Sequence, residues 1–195
     1  MRKIRTAILI SGSGSNMEAL IRAAQAPDYP AEIVLVISNR PEAAGLAKAE
    51  NLGVPARAID HKAYDSRKAF EQDVDAVLRK HEVELVCNAG FMRLLSPWFV
   101  GRWRERILNI HPALLPKFPG LHTHERALAA GETVHGCTIH IVDEGMDTGR
   151  ILAQAKVPVY RDDTPETLAK RVLAQEHKLY PETLKSCASG LLNAR

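Results

Sequence analysis

Cysteine is scarce and unpatterned. Cys87, Cys137 and Cys187 stand fifty residues apart, with no Cys-x-x-Cys pair. An odd count without close pairs argues against a disulfide framework and fits a reducing compartment, the cytoplasm. Long apolar runs are missing too. The basic start Met1 to Arg5 leads into an apolar run over 7–10 that is too short for a signal-peptide core and precedes no small-residue cleavage site. No other stretch approaches the length of a membrane span, so no membrane partner is expected. Charge of one sign is also in short supply: the net charge is +3, and Lys and Arg are scattered among Asp and Glu. That distribution excludes a nucleic-acid partner but leaves room for a local basic patch facing a small anion. Three catalytic signatures are absent: the Walker A Gly-Lys-Ser/Thr, the Gly-x-Ser-x-Gly of serine hydrolases and the His-Glu-x-x-His of zinc enzymes.

What is present is an ordinary folding composition, 46% hydrophobic and 25% charged over 195 residues, enough for one domain with one sizeable core. Apolar runs at 4–10, 32–38, 56–59 and 84–88 read as buried strands. The stretches 16–26, 43–52 and 65–81 carry apolar residues at helical spacing. Strand and helix alternating in this way predict an α/β fold, a Rossmann-like, mostly parallel sheet flanked by helices. A short strand follows at 107–110, and the prolines and glycine of 111–124 exclude regular structure there. Two strands at 133–142 and 150–157, separated by the turn-like 143–149, predict a hairpin. A long final helix starts with Thr164 as N-cap and Pro165 in its first turn, runs to about Tyr180, and is expected to kink or end at Pro181. No repeat or linker divides the chain, so 1–195 reads as a single domain, and no face stands out as an interface beyond a monomer or weak homodimer.

Two features carry chemistry. Ser11-Gly12-Ser13-Gly14-Ser15-Asn16 joins the first strand to the first helix, where glycines and helix-terminal N–H groups make an anion seat. The loop departs from the dinucleotide fingerprint, because Met17 stands where a third glycine belongs. The second strand also ends in Ser38-Asn39-Arg40, without a ribose-binding acid. A phosphate monoester suits it better. The second feature is Asn109-Ile110-His111 at a strand end, two polar side chains on one face of the strand. An imidazole moves protons near neutral pH, and an amide N–H steadies a developing oxyanion; one such donor is worth roughly 3–4 kcal/mol of barrier. A neighbouring carboxylate would favour the charged imidazole, and Asp143, Glu144 and Asp147 are the acids available. His122, His124, His135 and His140 offer nitrogens but no metal-site spacing, so no metal is expected.

Four blocks, ISGSGSN near the start, GFMRLLSP from Gly90, NIHPALLPKFPGLHTH from Asn109 and HGCTIHIVDEGMDTGRILAQ from His135, together resemble the phosphoribosylglycinamide formyltransferase family from Ile8 to about Pro181. The resemblance implies transfer of formyl from 10-formyltetrahydrofolate, as co-substrate, to the amine of glycinamide ribonucleotide in purine biosynthesis. It implies Asn109, His111 and Asp147 as the catalytic groups, with Asp147 keeping His111 charged. Gly14, Ser15 and Asn16 would hold the phosphate, and Leu173, Ala174, Gln175 and Glu176 the rest of the ribonucleotide. Arg67, Met92, Arg93, Leu94, Leu95, Asn109 and the loop Asp143, Glu144, Gly145, Met146, Asp147 would bind the folate. Ala113 departs from the serine common after His-Pro in such sequences and is expected to tune loop packing. Of the relatives sharing these groups, a methionyl-tRNA formyltransferase would need a further C-terminal domain. A formyltetrahydrofolate deformylase, using water in place of the amine, is the nearer alternative. A non-catalytic nucleotide sensor would explain the glycine loop but not the polar strand end.

Overall fold

The computed structural model describes residues 2–194. Seven strands form one sheet in the order β3-β2-β1-β4-β5-β6-β7. They are β1 (Ile4–Ile10), β2 (Ala31–Ser38), β3 (Ala56–Ala58), β4 (Leu85–Asn88), β5 (Ile107–His111), β6 (Val134–Ile141) and β7 (Ile151–Pro158). The pairings from β3 through β5 are parallel, and β5–β6 and β6–β7 are antiparallel. The expected hairpin is therefore present. After β3 the chain returns to the other side of β1, so the strand order reverses between β1 and β4. In open α/β sheets such a reversal opens a crevice beyond the carboxyl ends of the strands.

The helices are α1 (Ser15–Ala24), α2 (Ala44–Asn51), α3 (Arg67–Lys80), α4 (Pro97–Arg102), α5 (Thr123–Ala129) and α6 (Pro165–Asn193). Continuous apolar runs in the parallel strands are explained by cover on both faces. Ile8, Ile10, Cys87, Leu108 and Ile139 pack with Met17 and Leu20 of α1 and Tyr180 of α6. The alternate residues Ala7, Leu9, Val86 and Ile107 pack with Phe70 and Val74 of α3 and with Phe99 and Trp103.

Two expectations are corrected. Helix α6 does not end at Pro181 but continues to Asn193. Its last turns bury Thr183, Leu184 and Ala188 against the sheet core, and the Tyr29 hydroxyl donates to the Pro181 carbonyl at 2.6 Å. This burial offsets a proline penalty of about 3 kcal/mol. Secondly, α4 and α5, of six and seven residues, had no periodic signature long enough to see. Both are defined by local chemistry: the Ser96 hydroxyl accepts from Phe99 N–H ahead of Pro97, and Thr123 Oγ1 donates to the Pro112 carbonyl. The start of α6 agrees with its pattern, with Thr164 and Thr167 exchanging side-chain and backbone bonds.

Candidate active site

The crest of the sheet is built first by the loop after β1. Gly14 adopts φ +71° and forms the N-cap of α1. A side chain there would meet Met17 Cε at 2.9 Å and the Gly45 backbone at 3.0 Å. Met17 is fully buried beneath the loop, and α2 closes on it through Gly45 N–H, which donates to the Gly12 carbonyl at 3.0 Å. The position read as a missing glycine is thus a packing residue, and the loop is a rigid turn ahead of a ten-residue helix. Asn16 points from the first turn of α1 to α6, where its Nδ2 donates to Glu176 Oε2 at 2.7 Å. Burial raises the Glu176 carboxyl above its ordinary range, and the Asn16 bond pulls the other way. On the same helix Leu173 and Gln175 are half-buried and Ala174 is exposed.

The second part is the loop after β4. The Ser11 hydroxyl donates to Asn39 Oδ1 at 2.5 Å and accepts from Met92 N–H at 2.8 Å, joining the two loops. The buried Glu71 carboxylate of α3 accepts from Ser96 N–H at 2.7 Å and from the Ser96 hydroxyl, anchoring the far end. Arg93 lies over the Phe70 ring at 5.5 Å, and Leu95 packs on the α3–α4 side of the core. Met92 and Leu94 are left 57% and 53% exposed, an unusual position for such side chains unless something covers them. Arg67 lies exposed in the first turn of α3.

At the end of β5, Asn109 and His111 share a face, as the alternation requires. Asn109 lies opposite His140 of β6, with Nδ2 and Nε2 3.1 Å apart. His111 is buried; its Nε2 donates to the Phe118 carbonyl at 2.8 Å, and its Nδ1 lies 3.4 Å from Asp147 Oδ2. The other carboxylate oxygen of Asp147 is 3.6 Å from His140 Nε2. Asp147 has φ +55°, and Gly120 N–H donates to its Oδ2 at 2.8 Å, so a strained backbone position is fixed by the neighbouring loop. The other two acids are placed differently. Asp143 Oδ1 accepts from Gly145 N–H and the Thr148 hydroxyl within its own loop, and Glu144 is exposed. A side chain at Gly145 would collide with Thr148 Oγ1. Met146 is 49% exposed and lines, with Leu115, Pro119 and Asp147, a cavity of about 230 Å³. Ala113 is fully buried, its carbonyl accepting from Thr138 Oγ1 at 2.6 Å.

Burial drives the His111 imidazole below its ordinary pKa, and this prevails over the Phe118 carbonyl and Asp147, both of which favour the charged form. Its Nε2 faces the Phe118 carbonyl and its Nδ1 faces the Asp147 carboxylate, so the polar contacts act against the burial. For Asp147 burial acts upward, but the bond to His140, the Gly120 N–H and the nearness of His111 outweigh it and hold the carboxyl low. His140 was legible only as a spare nitrogen; the register of β6 against β5, which places it beside Asn109, is the signal that finds it. The Phe118 carbonyl and Gly120 N–H are backbone groups and carry no side-chain signature. Among the described residues, no group of three or more His, Cys, Asp or Glu side chains is placed to hold a metal ion. No helix among them is long and apolar enough to cross a membrane.

An amide donor, a buried imidazole and a carboxylate at the carboxyl ends of a parallel sheet, beside a helix-terminal anion seat, define equipment for moving an acyl group onto a nucleophile. Comparison with known proteins narrows the class. Residues 4–184 match the formyl transferase family model, and the chain belongs to that family. It is 41% identical to the phosphoribosylglycinamide formyltransferase of Escherichia coli strain K12, over 95% of this chain and 87% of that protein. The crystal structure of phosphoribosylglycinamide formyltransferase from Brucella melitensis is 56% identical, with a TM-score of 0.93 and 96% of each chain covered. A bovine trifunctional purine biosynthetic protein is 52% identical over 97% of this chain, which spans only 19% of that relative's length.

Proposed function

We propose that the protein transfers the formyl group of 10-formyltetrahydrofolate to the amine of glycinamide ribonucleotide, a step of purine biosynthesis that releases tetrahydrofolate. The observation that carries this reading is the run of contacts at the crest from Asn109 to His140 (3.1 Å), from His140 to Asp147 (3.6 Å) and from Asp147 to His111 (3.4 Å). The names of relatives covered over most of their own length support the amine rather than water as acceptor.

In this account the backbone of Gly14, Ser15 and Asn16 holds the ribonucleotide phosphate, and Glu176, with Leu173, Ala174 and Gln175, lines the path of its chain. The folate lies against Met92, Arg93, Leu94 and Leu95 on one side and 143–147 on the other, with Arg67 toward its outer end. The exposed Met92, Leu94 and Met146 side chains suit a large, partly apolar co-substrate. The amine nitrogen attacks the formyl carbon, and the carbonyl electron pair moves onto oxygen, where the Asn109 N–H stabilises it. The ammonium proton passes to the imidazole of His111, and Asp147 balances the positive charge there. The C–N10 bond then breaks with its electron pair on nitrogen, a proton is returned to N10, and the formamide and tetrahydrofolate leave. Residues 1–195 act as one domain in the cytoplasm, the N-terminal half seating the phosphate and the C-terminal half the folate and the chemistry.

The test is release of tetrahydrofolate by the purified protein, followed spectroscopically. Release only in the presence of glycinamide ribonucleotide is expected; equal release without it would assign a hydrolase.

A further inference from the structure

Asn88 ends β4 in register between Leu9 of β1 and Asn109 of β5, and Asn109 in turn lies opposite His140. Directly paired residues leave a sheet on the same face, on strands about 4.8 Å apart. Asn88, Asn109 and His140 therefore form a row of three polar side chains along the crest, on the face covered by α3 and α4. Within that row Asn109 and His140 are joined at 3.1 Å. Asn88 is different. It is 5% exposed, and its Oδ1 is buried without a hydrogen-bond partner among the described residues. On this face Asn88 is paired with Leu9 and Asn109, and the core beneath the face is apolar: Leu9, Val86 and Ile107, with Phe91, Leu95 and Val142 half-buried against the same cluster. The backbone is fixed from the opposite face, where the Tyr180 hydroxyl donates to the Asn88 carbonyl at 2.9 Å. An amide oxygen unpaired in such a place weakens folding by roughly tenfold or more, and a leucine would avoid that cost.

We propose that Asn88 is a specificity-determining residue whose Oδ1 accepts a hydrogen bond from N5–H or N8–H of the reduced pteridine of the formyl donor. The inference rests on the formyl-transfer reading. A planar ring held against Phe91, Leu95 and Val142 brings its edge to Asn88, one strand away from the amide that faces the formyl oxygen. A tetrahydropteridine has N–H donors at N5 and N8, and N5 is linked through C6 and C9 to the N10 that bears the formyl group. A ring with carbon at those two positions keeps the N3–H and 2-amino donors of its pyrimidine half but has none on the N5/N8 half.

The experiment compares two formyl donors, 10-formyltetrahydrofolate and 10-formyl-5,8-dideazafolate, at saturating glycinamide ribonucleotide, in the wild type and in Asn88→Leu. The expected result is a loss of about tenfold in kcat/KM with the reduced donor and none with the dideaza donor. The unfolding temperature of the free variant should be unchanged or higher, because a buried unpaired oxygen is gone. Asn88→Ala, which only deletes atoms, should show the same change in donor preference and serves if the leucine variant does not fold. An equal change on both donors would overturn the role of Asn88 while leaving formyl transfer standing. Absence of transfer from either donor in the wild type would remove both.

Discussion

The two sides of the sheet differ in where they keep their polar groups. Strands β2, β1 and β4 are sealed on both faces, and apart from Thr6 within β1 their buried polar groups gather at the crest, at Ser11, Ser38, Asn39 and Asn88. From β5 to β7 polarity enters the strands themselves: His111, His135, Thr138 and His140 are buried within them, and β7 is largely open to solvent. The first side is a rigid seat whose loops follow from close packing, as at Gly14, Met17 and Gly45. The second is a polar lattice: the His111 ring lies between the Phe118 carbonyl and Asp147, and His140 bonds the adjacent Ile141 carbonyl while facing Asn109. In the proposed function, binding and chemistry are divided along the same line: the seat fixes one substrate by its anion, and the lattice handles protons.

The division can be broken at either side. The largest effect is expected from His111→Ala. Removing the proton acceptor should lower kcat by about 10²–10⁴ with KM for the ribonucleotide nearly unchanged. Steady-state kinetics checks this, and a change confined to KM would contradict the division. Gly14→Ala should act in the opposite sense. The added methyl group meets Met17 and Gly45 in a left-handed backbone position. We expect KM for the ribonucleotide to rise about tenfold or more and the unfolding temperature to fall by several degrees, while kcat with saturating substrate stays close to wild type.

A third prediction is a pH dependence of stability on the polar side. Burial, before any other cause, lowers the pKa of both His111 and His135, the latter to about 4. In the unfolded chain both titrate near the usual 6.5. Below that pH the unfolded state takes up protons that the native state refuses, so stability falls as pH drops from 6.5 toward 4 and is constant, for these groups, above 6.5. His135 alone accounts for about 3 kcal/mol at the lower limit. Denaturant unfolding of His135→Gln beside the wild type checks the sign: the variant should lose less stability between pH 6.5 and 4.5.

Legibility followed the same boundary. The β1 strand, the α1 loop and the parallel order were readable because local period and glycine placement determine them. The Asn109–His111 pair was readable because two residues of separation on a strand fix a common face. The partners of that pair were not. Composition and spacing left Asp143, Glu144 and Asp147 equivalent, and only family resemblance singled out Asp147. In the structure, Asp143 turns into its own loop while Asp147, at φ +55° and held by Gly120 N–H, reaches His111. His140 depends on the register of β6 against β5, and the lowered pKa of His111 depends on how much chain covers it. Both are long-range properties. Pro181 is the reverse case, a strong local signal overruled by the burial of Leu184 and Ala188.

The central claim is that an amine held by the rigid seat receives the formyl group from a folate held by the polar side. Its most direct test is the fate of the label when 10-formyltetrahydrofolate carrying an isotopically marked formyl carbon is mixed with protein and glycinamide ribonucleotide. The account predicts label bound to the ribonucleotide as an N-formyl group, in equal amount to the tetrahydrofolate released. Label recovered as free formate, at a rate unaffected by the ribonucleotide, would contradict it.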